Sequence, residues 1–302
     1  MILATVLLIL NLGTVATITV APGESLNVTK SEGAPDIVLI PGLSGCAYGF
    51  RQLLPRLESA GLQWTIIEPL AIGGSSRPEE ADYSLTAQAD RVAVVLDEIG
   101  NGPVIVLGHG VSASIAMRLA LRRPELVRAV LSIEGAPHEN AATPTVESSL
   151  KLASLVAKFG GGRILRDRFK KDLEAASGDC AWITRYTVRK YYAYANRDLS
   201  GTITALRAMA RAEEPQTLQD KLDQITCPVL LLKGGAPHSG TITAEEEAVL
   251  RQNLVRFESR TIAGSGHFIF EEQPAAVTAA LVGLAAIEMA GTAEQGATSC
   301  AQ

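Results

Sequence analysis

The chain has 302 residues, 47% hydrophobic and 20% charged, with a net charge of −5. That size and composition suit a globular protein that buries a full core, as one large domain or as a core with a subdomain. The acidic balance argues against a nucleic-acid binder, which carries a basic excess. The sequence contains no Walker-type phosphate loop, internal repeat or low-complexity tract.

The chain opens on an apolar stretch, Met1 to Leu12, followed by Thr14-Val15-Ala16. This resembles the hydrophobic region and weak cleavage site of an export signal, although no Lys or Arg precedes it. Residues 1–13 are therefore read as a signal or membrane-proximal segment, with a buried start as the alternative. Export or membrane association through residues 1–12 is the preferred reading.

Residues 14–30 alternate and turn at Pro22-Gly23, which predicts a hairpin. Short apolar runs follow: Asp36–Ile40, Trp64–Ile67, Val104–Leu107, Val127–Ile133, Pro228–Leu232 and Val255–Ile262. Runs of this length suit strands buried on both faces of a parallel sheet. Between them lie helical patterns at Phe50–Ala60, Ser84–Ile99, Ser112–Arg123, Thr243–Asn253 and Pro274–Met289. Ser84 reads as a helix cap, and the glutamates after Thr243 favour a helix start. Alternating strand and helix predict an α/β fold, doubly wound and mostly parallel. Ligands in such sheets sit at the carboxyl ends of the strands.

Residues 137–226 break the alternation. They contain four helical patterns, Val146–Phe159, Ile164–Ala176, Trp182–Tyr194 and Leu199–Ala212, and no good strand. A connection that long must carry structure of its own. The domain reading is a core of 14–136 and 227–290, a helical cap of 137–226, and a flexible tail of 291–302. The basic run Arg163–Lys171 within the cap reads as a solvated helix face, with recognition of an anion as the alternative.

Four stretches together resemble the α/β-hydrolase superfamily over about residues 35–285. Ile40-Pro41-Gly42-Leu43-Ser44-Gly45 resembles its oxyanion loop. Glu68-Pro-Leu-Ala-Ile-Gly73-Gly-Ser75-Ser-Arg-Pro78 resembles the loop written DxxGxGxSxxP. Gly108-His109-Gly110-Val111-Ser112 resembles the nucleophile elbow, the tight strand-to-helix turn with small residues two before and two after its apex. Gly264-Ser-Gly266-His267 resembles the loop of the catalytic histidine. Ile115-Ala-Met-Arg-Leu-Ala-Leu-Arg-Arg-Pro124 continues the elbow helix without a gap, which puts Gly110 where the family has Ser or Asp. Gly110-Val111-Ser112-Ala113-Ser114 offers a rival register with Ser112 as nucleophile.

The resemblance implies a capped hydrolase of ester-type or related small apolar substrates. It makes His267 the general base and the Leu43 and Val111 amides the oxyanion donors. The turn after Lys233 lacks the family's usual carboxylate, so Glu134, at the end of the preceding strand as in haloalkane-dehalogenase-like members, is the candidate orienting acid. The rival reading is a non-catalytic member that binds a small ligand or a protein in the same pocket. His109 reads as structural. His138 and His238 also follow strand ends, which places all four histidines on one rim. Their spacing matches no ligand motif, so no metal or other cofactor is expected. Cys46, Cys180, Cys227 and Cys300 are far apart and read as free thiols, with one disulfide left open if the chain is exported.

Overall fold

The computed structural model describes residues 13–100, 102–142, 147, 150 and 162–297. Its eight strands are β1 (Thr14–Ala21), β2 (Glu24–Lys30), β3 (Ile37–Ile40), β4 (Trp64–Glu68), β5 (Val104–His109), β6 (Val127–Ile133), β7 (Val229–Gly234) and β8 (Phe257–Ile262). They form one sheet in the order β1-β2-β4-β3-β5-β6-β7-β8. The β1–β2 and β2–β4 pairs are antiparallel, and every later pair is parallel.

The apolar runs become central strands because both of their faces are covered. Along β3, Val38 and Ile40 enter one hydrophobic core while Ile37 and Leu39 enter the other. In β5, Val104 and Val106 join the first core and Ile105 and Leu107 the second. Each such side chain contributes roughly 1.5–3 kcal/mol on burial. The first core is closed by α2 (Leu85–Ile99) and α3 (Ser112–Arg122), the second by α1 (Leu54–Ser59) and α9 (Pro274–Ala297). Strand β8 lies at the sheet edge and is half exposed, and Val255, expected at its start, stands outside the strand and 64% exposed.

Local chemistry sets the helix ends. The Ser84 hydroxyl accepts from the Ala87 amide at 3.1 Å and starts α2. Thr243 and Glu246 close a reciprocal capping box on α7 (Ala244–Asn253). The expected helix from Phe50 divides into a 3-10 turn at Ala47–Gln52 and then α1. Pro55 explains the division: it lacks an amide and fits only a first helical turn. The last helix runs on past Met289 to Ala297, into the stretch expected to be a flexible tail. No proline interrupts Ala290–Ala297, and its alanines favour helix.

Between β6 and β7 come α4 (Gly162–Ala175), α5 (Arg185–Arg197) and α6 (Leu199–Arg211), the cap-like helices. Leu173, Trp182, Val188 and Tyr191 pack with Phe268 in the second core, while Ala205 and Met209 extend the first. Of the helix expected at Val146–Phe159 only Glu147 and Leu150 are described, both helical, and the apolar residues 1–12 lie outside the described residues. No helix among the described residues is long and apolar enough to cross a membrane. Cys46, Cys180 and Cys227 are free thiols, and Cys300 lies outside the described residues.

Candidate active site

The turn from β5 into α3 is tight. A Cβ on Gly108 would lie 2.4 Å from the Ser112 carbonyl oxygen, so only glycine fits there. Gly110, at the apex, has φ +55, the left-handed region that glycine enters without steric cost. Its amide donates to the Ile133 carbonyl at 2.8 Å, and its carbonyl accepts from the Ala113 amide at 3.0 Å. A Cβ built on Gly110 would stand 3.4 Å from His267 Nε2. Ser112 is differently engaged: it is 2% exposed, and its hydroxyl donates to the Pro41 carbonyl at 2.7 Å, tying α3 to the end of β3.

His267 stands on the loop between β8 and α8 (Ile269–Glu272), held by its own amide donating to the Ala176 carbonyl at 2.8 Å. Its Nδ1 lies 3.1 Å from the Gly240 carbonyl. A carbonyl only accepts, so Nδ1 carries the proton and Nε2 presents its lone pair toward Gly110. Burial, aided by the neighbouring His238, lowers the His267 pKa to about 4, which leaves the ring neutral at pH 7. His109 packs against it with ring centroids 4.5 Å apart and donates from Nε2 to the His267 carbonyl at 3.1 Å. Burial, and then His267, hold the His109 pKa well below the usual imidazole value.

Glu134 directly follows β6 with φ +48, an uncommon conformation for a residue with a side chain. Its carboxylate accepts from the Gly234 amide and, at 3.1 Å, from the Ile242 amide. Burial pushes its pKa up, opposed by the Gly234 amide, His238 and the Ile242 amide. The expected hydrogen bond from the His267 ring to Glu134 is not formed. The two backbone amides occupy the carboxylate, and the Gly240 carbonyl accepts from the His267 Nδ1–H instead.

The histidine beside Glu134 is His238, with Nε2 3.5 Å from Oε1 and its side chain only 1% exposed. Its Nδ1 donates to the Ala236 carbonyl at 2.7 Å, and its buried Nε2 has no hydrogen-bond partner among the described residues. Sequence reading placed His238 on the rim but not against Glu134. The available signal was its position in the turn after β7, where the resembled family keeps its acid.

The strand ends open on a cavity of about 700 Å³. His109, Gly110, Glu134, His138 and His267 line it at the strand ends. Leu165, Phe169 and Leu206 of the cap-like helices supply an apolar wall. Leu43 and Val111 also line it, and neither amide donates to another described residue. In the basic run, Arg166, Arg168 and Lys170 pair with Asp167, Asp172 and Glu174 along α4 itself, and Arg168 and Asp172 also line the cavity.

A model of a family described as the alpha/beta hydrolase family matches residues 37–281. The chain is 29% identical over 117 residues to bifunctional epoxide hydrolase 2 of Rattus norvegicus, a match covering 38% of this chain and 21% of that one. It thus spans about a fifth of that protein. To an esterase of Mycobacterium tuberculosis it is 24% identical over 246 residues, covering 81% of this chain and 80% of the esterase. The solved structure of the epoxide hydrolase CorEH without ligand superposes with a TM-score of 0.70 at 17% identity, covering 90% of this chain and 98% of that chain.

Proposed function

Because the chain belongs to the alpha/beta hydrolase family, we propose that it hydrolyses ester-type bonds of small apolar substrates with a water molecule as the attacking nucleophile. The substrate carbonyl carbon sits above Gly110, and its oxygen accepts from the Leu43 and Val111 amides. A water in the space left by the missing side chain gives a proton to His267 Nε2 and attacks the carbonyl carbon. The oxyanion that forms is held by the two amides. The protonated His267 then delivers its proton to the departing alkoxide, so ester and water become acid and alcohol.

Glu134 is a positioning residue in this reading. By accepting from the Gly234 and Ile242 amides it braces the loop whose Gly240 carbonyl orients the His267 ring. The observation that carries the proposal is the pairing of a bare His267 Nε2 with the Cβ-free position at Gly110. The same gap favours the rival reading, a pocket that binds without catalysis.

The test is hydrolysis of aryl esters of several chain lengths by chelator-treated parent and His267→Ala proteins. The proposal expects the parent to be faster by roughly 10²–10⁴-fold, the range of positioned general bases. Equal rates would leave only the binding reading. Loss of the parent's activity in Ser112→Ala, with the fold retained, would move the nucleophile to Ser112.

A further inference from the structure

We infer that Glu134, His238 and His267 form a binding site for a divalent transition-metal ion of the zinc class, and that occupancy silences His267 as a base. The second half rests on the function proposed above; the site itself does not.

Each of the three residues offers a ligand atom, and these atoms lie within 4.8 Å of one another. Two imidazoles and one carboxylate form a donor set that zinc and its neighbours accept. The loops after β6, β7 and β8 bring them together, so no local spacing in the sequence announces the set.

Two features prepare the site. The Glu134 carboxylate is held by two backbone amides, as metal-binding carboxylates commonly are. His238 donates its Nδ1 proton to the Ala236 carbonyl, which leaves Nε2 a lone pair, and that nitrogen is buried with no hydrogen-bond partner among the described residues. In a neutral ring the lone pair faces a carboxylate oxygen at 3.5 Å, one acceptor against another. A cation between them turns that opposition into ligation.

The ligand atom of His267 follows from the ring's orientation. Nε2 faces Gly110, while a Cβ on Gly240 would lie 3.3 Å from Nδ1. Gly240 is two residues from Ile242, whose amide binds Glu134, so Nδ1 is taken as the ligand atom, and the Gly240 carbonyl, 3.1 Å from it, turns aside when the ion binds. On coordination Nδ1 releases its proton to solvent and Nε2 takes one up. The ring stays neutral and nothing is oxidised or reduced. The nitrogen facing Gly110 then carries hydrogen and cannot accept a proton from water.

The test titrates chelator-treated protein with zinc chloride by calorimetry and with cobalt by visible absorption. Aryl-ester hydrolysis and nitrogen NMR of His267 are followed in parallel. The expected result is one equivalent bound, with cobalt bands free of thiolate charge transfer and the His267 proton moved to Nε2. Hydrolysis falls roughly 10²-fold or more, the contribution of a general base, and recovers with chelator. His238→Gln, checked by circular dichroism, loses the one-to-one binding, and whatever activity it has ceases to respond to zinc. Absence of stoichiometric binding, a thiolate band, or zinc that accelerates hydrolysis would each overturn the inference. If the chelated parent hydrolyses no ester, the proposed function fails, while calorimetry and NMR still decide the site and the tautomer.

Discussion

His267 turns Nε2 toward the place where Gly110 lacks a side chain, 3.4 Å from where a Cβ would stand. That distance is ordinary van der Waals contact, so a serine hydroxyl at position 110 comes within hydrogen-bonding reach of the imidazole. Gly110→Ser is expected to form an acyl-enzyme with activated aryl esters and to react with fluorophosphonates, both read by intact-protein mass spectrometry. A side chain at φ +55 also carries strain of about 1–2 kcal/mol, so the variant should melt below the parent. A variant that folds and stays unlabelled would show that the elbow and the imidazole are not aligned for covalent catalysis.

Glu134→Gln tests the bracing role. The amide side chain keeps one acceptor but turns an NH2 group against the Gly234 or the Ile242 amide. Leaving a buried donor unpaired costs roughly 1–3 kcal/mol. The expected pattern is a fall in kcat with KM nearly unchanged, because the cavity wall is kept while the Gly240 carbonyl loses its hold on His267. An unchanged kcat would remove Glu134 from the machinery.

Arg118 of α3 is buried and donates to the His138 carbonyl at 2.9 Å, while its guanidinium pairs with Glu139 and Glu214. Glu214 also accepts from the Leu85 and Thr86 amides at the start of α2. Arg118→Met therefore leaves the buried Glu214 carboxylate without its cation, held only by the Leu85 and Thr86 donors, and loosens two helices at once. A loss of about 3 kcal/mol is expected, as when one partner of a buried pair is removed. Chemical denaturation of the parent and the variant measures it.

Glu247 joins α7 to β7 through Lys233 and to the edge strand β8 through Ser259, and pairs with Arg251 within the helix. Chiefly the Lys233 bond, then that from Ser259, lowers its pKa from 4.5 to about 2. A carboxylate whose folded pKa is depressed stabilises the fold above its unfolded pKa and loses that contribution as pH falls through the folded value. Glu247→Gln should therefore melt below the parent at pH 6, and the gap should close between about pH 4.5 and pH 2. A gap of constant size across a pH series of melting curves would count against the ion pair.

Much of the fold was legible because its signals are local. The run Ile37–Ile40 is apolar at every position, and a strand with helices on both faces is where such a run is stable. Gly108-His109-Gly110-Val111-Ser112 announced a tight turn, and the structure puts Gly110 at φ +55. Less legible was the break before α1, where the apolar spacing of Phe50–Ala60 masked the effect of Pro55. The final helix passed for a tail because Ala290–Ala297 has helix-forming alanines but no apolar periodicity.

The site divides along the same line. Sequence alone determined the alternating strand and helix runs and the tight turn at Gly108–Ser112, since each rests on residues adjacent in the chain, while His267 was singled out by the resemblance of its Gly264–His267 loop. Only the tertiary structure decided what surrounds that imidazole. Glu134 comes from the loop after β6, His238 and Gly240 from the loop after β7, and His267 from the loop after β8. Which of them touch depends on backbone turns such as φ +48 at Glu134, and on whether amides or a side chain reach a carboxylate first. Those contacts are settled by through-space competition for hydrogen bonds, which residue order does not record.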